Sequence, residues 1–262
     1  MTAPAGESSG SVHRIDVLGV GISAIDPDDA LAEITRWLTD GSRHYVCVTG
    51  VHGVMEAQRD PELLRIHNDS GLTAPDGMPM VWAARFAGAA NVRRVYGPDL
   101  MLAVCERAAE RGWPSYLYGS TDDVLVRLRA NLCDRFPGLR IVGVYSPPFR
   151  ELSDDEDDAV NQAINESGAQ IVWVGLSTPK QERWMAAHIG RTNASVLIGV
   201  GAAFDIHAGE VPQAPKWMQR AGLEWLFRLA SEPRRLWRRY AVIIPRFVIA
   251  VVRRPPRLRS DR

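Results

Sequence analysis

The stretch Thr73-Ala74-Pro75-Asp76-Gly77-Met78-Pro79 sets one carboxyl group between a proline and a glycine, ahead of an apolar run over 81–86. A loop of this kind can expose a single acid rigidly, as a general base requires. The same spacing also fits a turn or N-cap aspartate. Arg93-Arg94-Val95-Tyr96-Gly97-Pro98-Asp99 places two guanidinium groups just before a helix start, with Asp99 as the expected cap. That pattern suits an anion site or a surface ion pair. Ser177-Thr178-Pro179-Lys180-Gln181-Glu182 follows an apolar strand and opens a helix, so Lys180 and Gln181 could meet phosphate or sugar there. Lys180 and Lys216 are the only lysines, against 29 arginines. Near the C-terminus, Arg228, Arg235 and Arg239 share a helical face, with Arg238 beside it. They form either a solvated basic face or a clamp for a diphosphate, in which guanidinium replaces a metal as counter-charge.

Other patterns carry less. Asp155-Glu156-Asp157 has the spacing of a divalent-ion motif, but it falls in the first turn of a helix, where acids suit the dipole. Gly199-Val200-Gly201 resembles a nucleotide loop without its third glycine. The sequence holds no G-x-x-x-x-G-K-[ST], H-E-x-x-H, G-x-S-x-G or C-x-x-C. Cys47, Cys105 and Cys133 are far apart, which fits a reducing compartment and gives no metal-ligand spacing.

The elements that must position these residues alternate between strand and helix. Strands are expected at 14–23, 44–49, 115–118, 140–145, 170–175 and 194–200. Helices are expected at 27–39, 53–59, 61–68, 81–86, 98–111, 122–136, 153–167 and 179–189. Each strand is a continuous apolar run, which predicts an α/β fold: a Rossmann-like, mainly parallel sheet flanked by helices. Past Gly209 the character changes. Pro212, Pro215 and Trp217 suggest a turn, and 223–240 alternates apolar residues with arginines in helical fashion. The apolar segment 241–252 is interrupted at Pro245-Arg246 and is too short to span a bilayer. It reads as a helix lying in a membrane interface or as one packed on the body.

The chain has 262 residues, with 46% hydrophobic and 24% charged, which excludes wholesale disorder, coiled coil and a disulfide mini-scaffold. Net charge is zero, yet residues 216–262 carry 13 basic and 3 acidic groups. The body is correspondingly acidic, so the tail suits a partner of its own: substrate phosphates, an anionic membrane surface or nucleic acid. Nucleic acid fits poorly, because the arginines are interleaved with core-like Leu and Trp and offer no stacking platform. Residues 1–11 are small and polar and are expected to be disordered; without an apolar h-region they are not a signal peptide. The expected division is a Rossmann-like domain over 12–211 and a basic amphipathic appendage over 212–262.

Taken in order, the motifs resemble the WecG/TagA/CpsF glycosyltransferase family (glycosyltransferase family 26). The resemblance rests on Asp60-Pro61-Glu62-Leu63, Pro75-Asp76-Gly77, Arg94-Val95-x-Gly97-x-Asp99-Leu100 and Tyr118-Gly119. It continues through Gly175-Leu176-x-x-Pro179-Lys180-Gln181-Glu182, Gly199-Val200-Gly201-Ala202-x-Phe204-Asp205, Gly209 and Ala214-Pro215-Lys216-Trp217. Gly222-Leu223-Glu224-Trp225-x-x-Arg228, Pro233-x-Arg235 and Arg238 close it.

The resemblance implies a metal-independent, inverting transfer of a sugar from a UDP-sugar to a polyprenyl-diphosphate-linked sugar. It implies work at the cytoplasmic face of the bacterial plasma membrane, in exopolysaccharide, capsule or cell-wall polymer assembly, and a capacity to self-associate. It implies no cofactor and no metal site. Asp76 then matches the catalytic base, Arg94 and Gln181 match pocket residues, and Arg228, Arg235 and Arg238 match appendage arginines that reach the UDP diphosphate. Gly119 and Lys180 fall within matched motifs and are taken as substrate-binding. The family often has T-x-N after the second strand, where Val48 and Gly50 stand here. Thr49 and His52 are the nearby polar groups, so the donor is left as a hexose or N-acetylhexosamine. The alternative is a non-catalytic nucleotide-sugar or lipid-binding accessory protein on a degenerate transferase scaffold.

Overall fold

In a computed structural model, residues 12–259 are described, Glu232 excepted, with all their side chains but those of Arg220, Arg235, Arg238 and Arg239. The expectation for residues 1–11 lies outside the described residues.

Six parallel strands make the central sheet: β3 (His44–Thr49), β4 (Leu72–Pro75), β5 (Ser115–Gly119), β6 (Ile141–Tyr145), β7 (Ile171–Gly175) and β8 (Val196–Gly199). Their spatial order is β4-β3-β8-β7-β5-β6. Alternate residues of each strand feed opposite layers, as the pleat requires. Val46, Leu117, Trp173 and Ile198 face one core, with α1 (Pro27–Asp40), α5 (Gly97–Arg111) and α6 (Asp122–Arg135) over it. Cys47, Tyr116, Val172 and Leu197 face the other, under α3 (Pro61–Asp69), α7 (Asp154–Glu166) and α8 (Lys180–His188). This is the Rossmann-like α/β architecture that the apolar runs predict. Local chemistry agrees with it. Asp26 caps α1 in a capping box, and left-handed Gly41 ends that helix.

Four local expectations are corrected. The single strand at 14–23 is an antiparallel hairpin, β1 (Arg14–Val17) and β2 (Val20–Ser23). Leu18 and Gly19 both take positive φ in its turn, at 55° and 91°. That is the geometry which lets a two-residue turn match strand twist. Leucine is a poor turn residue, but Asp16 Oδ1 accepts from Gly19 N at 2.8 Å, and Asn68 Nδ2 donates to Gly19 O at 3.1 Å. Secondly, β4 occupies part of what reads as a loop ahead of α4 (Met78–Phe86). Thirdly, Asp99 does not cap α5. Tyr96 is the N-cap, and Asp99 instead holds Lys216 at 2.9 and 3.2 Å. Fourthly, Pro245 does not interrupt the tail, because α12 (Pro233–Arg253) runs through it.

The tail folds back on the body. After α9 (Ala203–His207), α10 (Lys216–Arg220) occupies the expected turn, and α11 (Glu224–Ser231) leads into α12. Phe247 of α12 is buried with Ile15, Val17, Val54 and Met80, in a third core that also draws on α2 (Val51–Ala57). A last strand, β9 (Arg257–Leu258), then pairs antiparallel with β1. Arg254 reaches Asp16 at 3.2 Å. Among the described residues no helix is long and apolar enough to cross a membrane.

Candidate active site

In a parallel sheet flanked by helices, ligands meet the carboxyl ends of the strands, where the loops diverge. A cavity of about 1370 Å³ lies there. The ends of β3, β4, β5, β7 and β8 contribute Thr49, Asp76, Ser120, Ser177 and Gly201 to its wall. The opposite wall comes from the tail: Glu224, Trp225 and Arg228 of α11, and Tyr240, Ile244, Phe247 and Val251 of α12.

Asp76 is the residue after β4. Its amide donates to Thr49 O at 2.9 Å, which continues the β3–β4 ladder by one step. Gly77 follows with φ 84°, a conformation that favours glycine, and the chain turns into α4. The carboxyl group is thus set by backbone geometry, in the way the Pro-Asp-Gly spacing predicts.

Arg94 binds that carboxyl. Its Nε and Nη2 both donate to Asp76 Oδ1, at 3.1 Å each. Nη2 also lies 2.6 Å from Glu224 Oε2 of α11. The guanidinium carbon sits 4.0 Å from the centroid of the Tyr96 ring, a cation–π contact. Burial opposes the charge on Arg94. The two carboxylates outweigh it, and the guanidinium titrates above its usual range. Burial, with Glu224 and Asp76 adding to it, likewise pushes the Tyr96 phenol up. Arg93 points outward to Asp26 and Asp28 at 2.6 and 2.9 Å. Of the arginine pair, one is a surface ion pair and one belongs to the cavity.

Gln181 and Glu182 form a second polar group on the cavity wall and are 3% and 1% exposed. Glu182 Oε1 accepts from Thr178 Oγ1 at 2.9 Å and from Gln181 Nε2 at 3.1 Å. Gln181 Oε1, Glu182 Oε2 and Thr49 Oγ1 are buried with no hydrogen-bond partner among the described residues. Such groups cost about 1–3 kcal/mol each until water or ligand satisfies them. Gly201, beside Gln181, takes φ 50°, a conformation that favours glycine.

The cavity therefore gathers Thr49, His52, Asp76, Arg94, Gln181 and Arg228. At the two positions where the family often has T-x-N, Val48 and Gly50 also line it. Val48 brings an apolar side chain, and a side chain at Gly50 would crowd the backbone of Asp76, with its Cβ 3.1 Å from Asp76 O. His52 Nδ1 lies 3.8 Å from Glu56 Oε1. The cavity does not gather Gly119 or Lys180. Gly119, at φ 124°, packs its backbone against β7, where a Cβ would meet Gly175 O at 2.6 Å. Lys180 is exposed at the start of α8. The side chains of Arg235 and Arg238 lie outside the described residues.

The acidic run at 155–157 is absorbed by structure. Glu156 closes a capping box with Ser153 and pairs with Arg150 at 2.6 Å. Asp157 pairs with Arg191 at 2.6 Å and His188 at 3.0 Å. Among the described residues no group of three or more His, Cys, Asp or Glu is placed to hold a metal ion.

Sequence reasoning missed three contributors: Tyr96 under Arg94, Glu224 beside it, and the aromatic pair Trp82 and Phe86 of α4. Trp82 and Phe86 are 54% and 74% exposed at the cavity rim. Two exposed aromatics four residues apart on a short helix were the available signal for that pair.

The family model described as the glycosyl transferase WecG/TagA/CpsF family matches residues 15–261. Its span takes in both the strand ends that carry Asp76 and the tail helices that close the cavity over it, so this chain belongs to that family of glycosyltransferases.

Proposed function

We propose that this protein moves a hexose or N-acetylhexosamine from a UDP-sugar to a polyprenyl-diphosphate-linked sugar, with inversion at the anomeric carbon. The observation that carries this reading is the mixed lining of the cavity. Asp76, Arg94, Gln181 and Arg228 line it with charged and polar groups. Trp82 and Phe86 of α4, with Ile243, Val248 and Val252 of α12, line it with apolar ones. A ligand with a sugar-phosphate head and an apolar chain can use both kinds of lining; a soluble sugar uses only the polar groups.

In this reading Arg94 occupies Asp76 Oδ1. Asp76 Oδ2 has no described partner and takes the proton of the acceptor hydroxyl. The acceptor oxygen forms its bond to the anomeric carbon from one face. The bond to UDP breaks on the other, and its electron pair leaves on the β-phosphate oxygen. Arg228 supports the departing diphosphate, joined by Arg235 and Arg238 as the family pattern implies. This assignment gives the counter-charge to guanidinium groups and none to a metal. The exposed Val242, Val248, Ile249 and Val252 of α12, with Arg246 and Arg253 on the same helix, suit contact with an anionic bilayer. The setting is the inner face of the bacterial plasma membrane, in polysaccharide or cell-wall polymer assembly.

The test is UDP release from a panel of UDP-sugars, with and without a short-chain polyprenyl-diphosphate-sugar. One donor giving acceptor-dependent UDP supports the reading and names the sugar. UDP release that ignores every lipid-linked acceptor, including a membrane extract of the host, contradicts it. Turnover is expected to survive EDTA; loss that Mn²⁺ restores would contradict the metal-free assignment.

A further inference from the structure

We infer that Glu224 is a positioning residue that acts through Arg94 to keep Asp76 basic and one of its oxygens open. The inference rests on the reading of Asp76 as the base.

The geometry is a relay of three charges. Arg94 is the only described cation in contact with Asp76, and both of its donors reach the same oxygen, Oδ1. The fork of a guanidinium otherwise favours two parallel bonds, one to each carboxylate oxygen. That arrangement would cover the atom that must take the proton. Glu224 Oε2 lies 2.6 Å from the same Nη2, as an ion pair, so that nitrogen stands between two carboxylates. The side chains of Arg94 and Glu224 are 13% and 14% exposed, so water screens this contact little. The Tyr96 ring fixes the plane of the guanidinium from below, at 4.0 Å.

Two consequences follow. Arg94 is held back from Oδ2. Its charge is also shared between two carboxylates, so Asp76 is stabilised as an anion less than a lone Arg–Asp pair would be. A weaker hold on the anion makes a stronger base.

Other titratable groups face the same space. Tyr96, Arg228 and Tyr240 lie on the side of Glu224. His52 on α2, Glu182 on α8 and Asp205 on α9 line the remaining walls. The ion pair described for Asp76 is the one with Arg94. Because Glu224 belongs to α11, the relay also makes the state of the base depend on the tail being docked.

The experiment measures acceptor-dependent UDP release across pH for wild type, E224Q, E224D, R94Q and R94Q/E224Q, with a melting midpoint for each. E224Q is expected to move the acid limb of kcat down by about one pH unit. It lowers the plateau about 10-fold, and KM for the donor stays within about twofold. E224D keeps the charge and leaves the limb at its wild-type position. R94Q moves the limb upward, and on that background E224Q no longer produces the downward shift. A merely structural role predicts lower activity with an unmoved limb.

A folded E224Q with a wild-type acid limb overturns the inference. So does a downward shift that persists undiminished on the R94Q background. Where E224Q does not melt cooperatively, R94Q decides: no upward shift overturns the relay. D76N with near-normal turnover would instead remove the base reading on which the relay stands.

Discussion

The carboxyl edge of the sheet and the C-terminal helices share one cavity, yet they are held there by different means. At the sheet edge, position is written into the backbone. β4 and β8 are buried at every residue, and the Asp76 amide extends the ladder to Thr49. Val95 N donates to Pro75 O at 2.9 Å, which brings Arg94 to the same place. In the tail, α11 has no buried residue. Leu236 and Phe247 are the buried apolar side chains described on α12. The pairing of β9 with β1 and three ion pairs add to this: Lys216 with Asp99, Glu224 with Arg94, Arg254 with Asp16. Segments with few buried apolar contacts open at low free energy. On the proposed reading, the base, which must be placed to a fraction of an ångström, sits on the rigid side, and the groups that would close over a leaving nucleotide sit on the side that can yield.

The contrast can be broken by experiment, and Phe247→Ala should have the largest effect. It removes the larger of the two buried apolar side chains described on α12 and should cost about 3 kcal/mol. For a chain of this size that lowers the melting midpoint by roughly 6–12 °C. Val242→Ala, on the exposed side of the same helix, should stay within about 0.5 kcal/mol. Equal effects from the two would mean that α12 is not part of the folded core.

Arg228→Ala sharpens the other half of the contrast. It should lower kcat about 100-fold through lost support of the diphosphate, with no change in melting midpoint. A change in stability with kcat intact would assign Arg228 to packing.

Acid should act on the body. Burial holds His188 below its ordinary value, despite Asp157 beside it, and burial also lowers His207. The unfolded chain then binds more protons than the native one as pH falls through about 6.5. Stability is complete above that value and declines below it until the folded-state values are passed. H188Q should flatten the decline between about pH 7 and 5. An unchanged slope would locate the pH dependence elsewhere. The smallest effect is expected for Lys216→Met. Its pair with Asp99 is largely exposed and should contribute less than about 1 kcal/mol.

How much was legible in the sequence follows the same division. Strands buried on both faces must be apolar throughout, so β3, β5, β7 and β8 stood out as runs. β4 did not, because Leu-Thr-Ala-Pro is short and ends in proline. The β1–β2 turn was hidden because Asn68, distant in sequence, helps hold it. Asp76 was visible as an exposed acid in a stiff loop, and the family resemblance gave it a role. Its setting was not visible. Nothing local brings Glu224 to Arg94; only the return of the tail over the sheet edge does. The acidic run at 155–157 shows the converse, a spacing that suggests chemistry and is consumed by a helix cap and ion pairs.

The most direct test compares wild type and D76N for acceptor-dependent UDP release, alongside the affinity of each for UDP. The substitution keeps the shape of the side chain and removes its capacity to take a proton. Turnover should fall by about 10²–10⁴-fold, while UDP affinity and melting midpoint stay near wild type. Near-normal turnover by D76N, with the same donor and acceptor, would contradict the claim that this carboxyl group activates the acceptor.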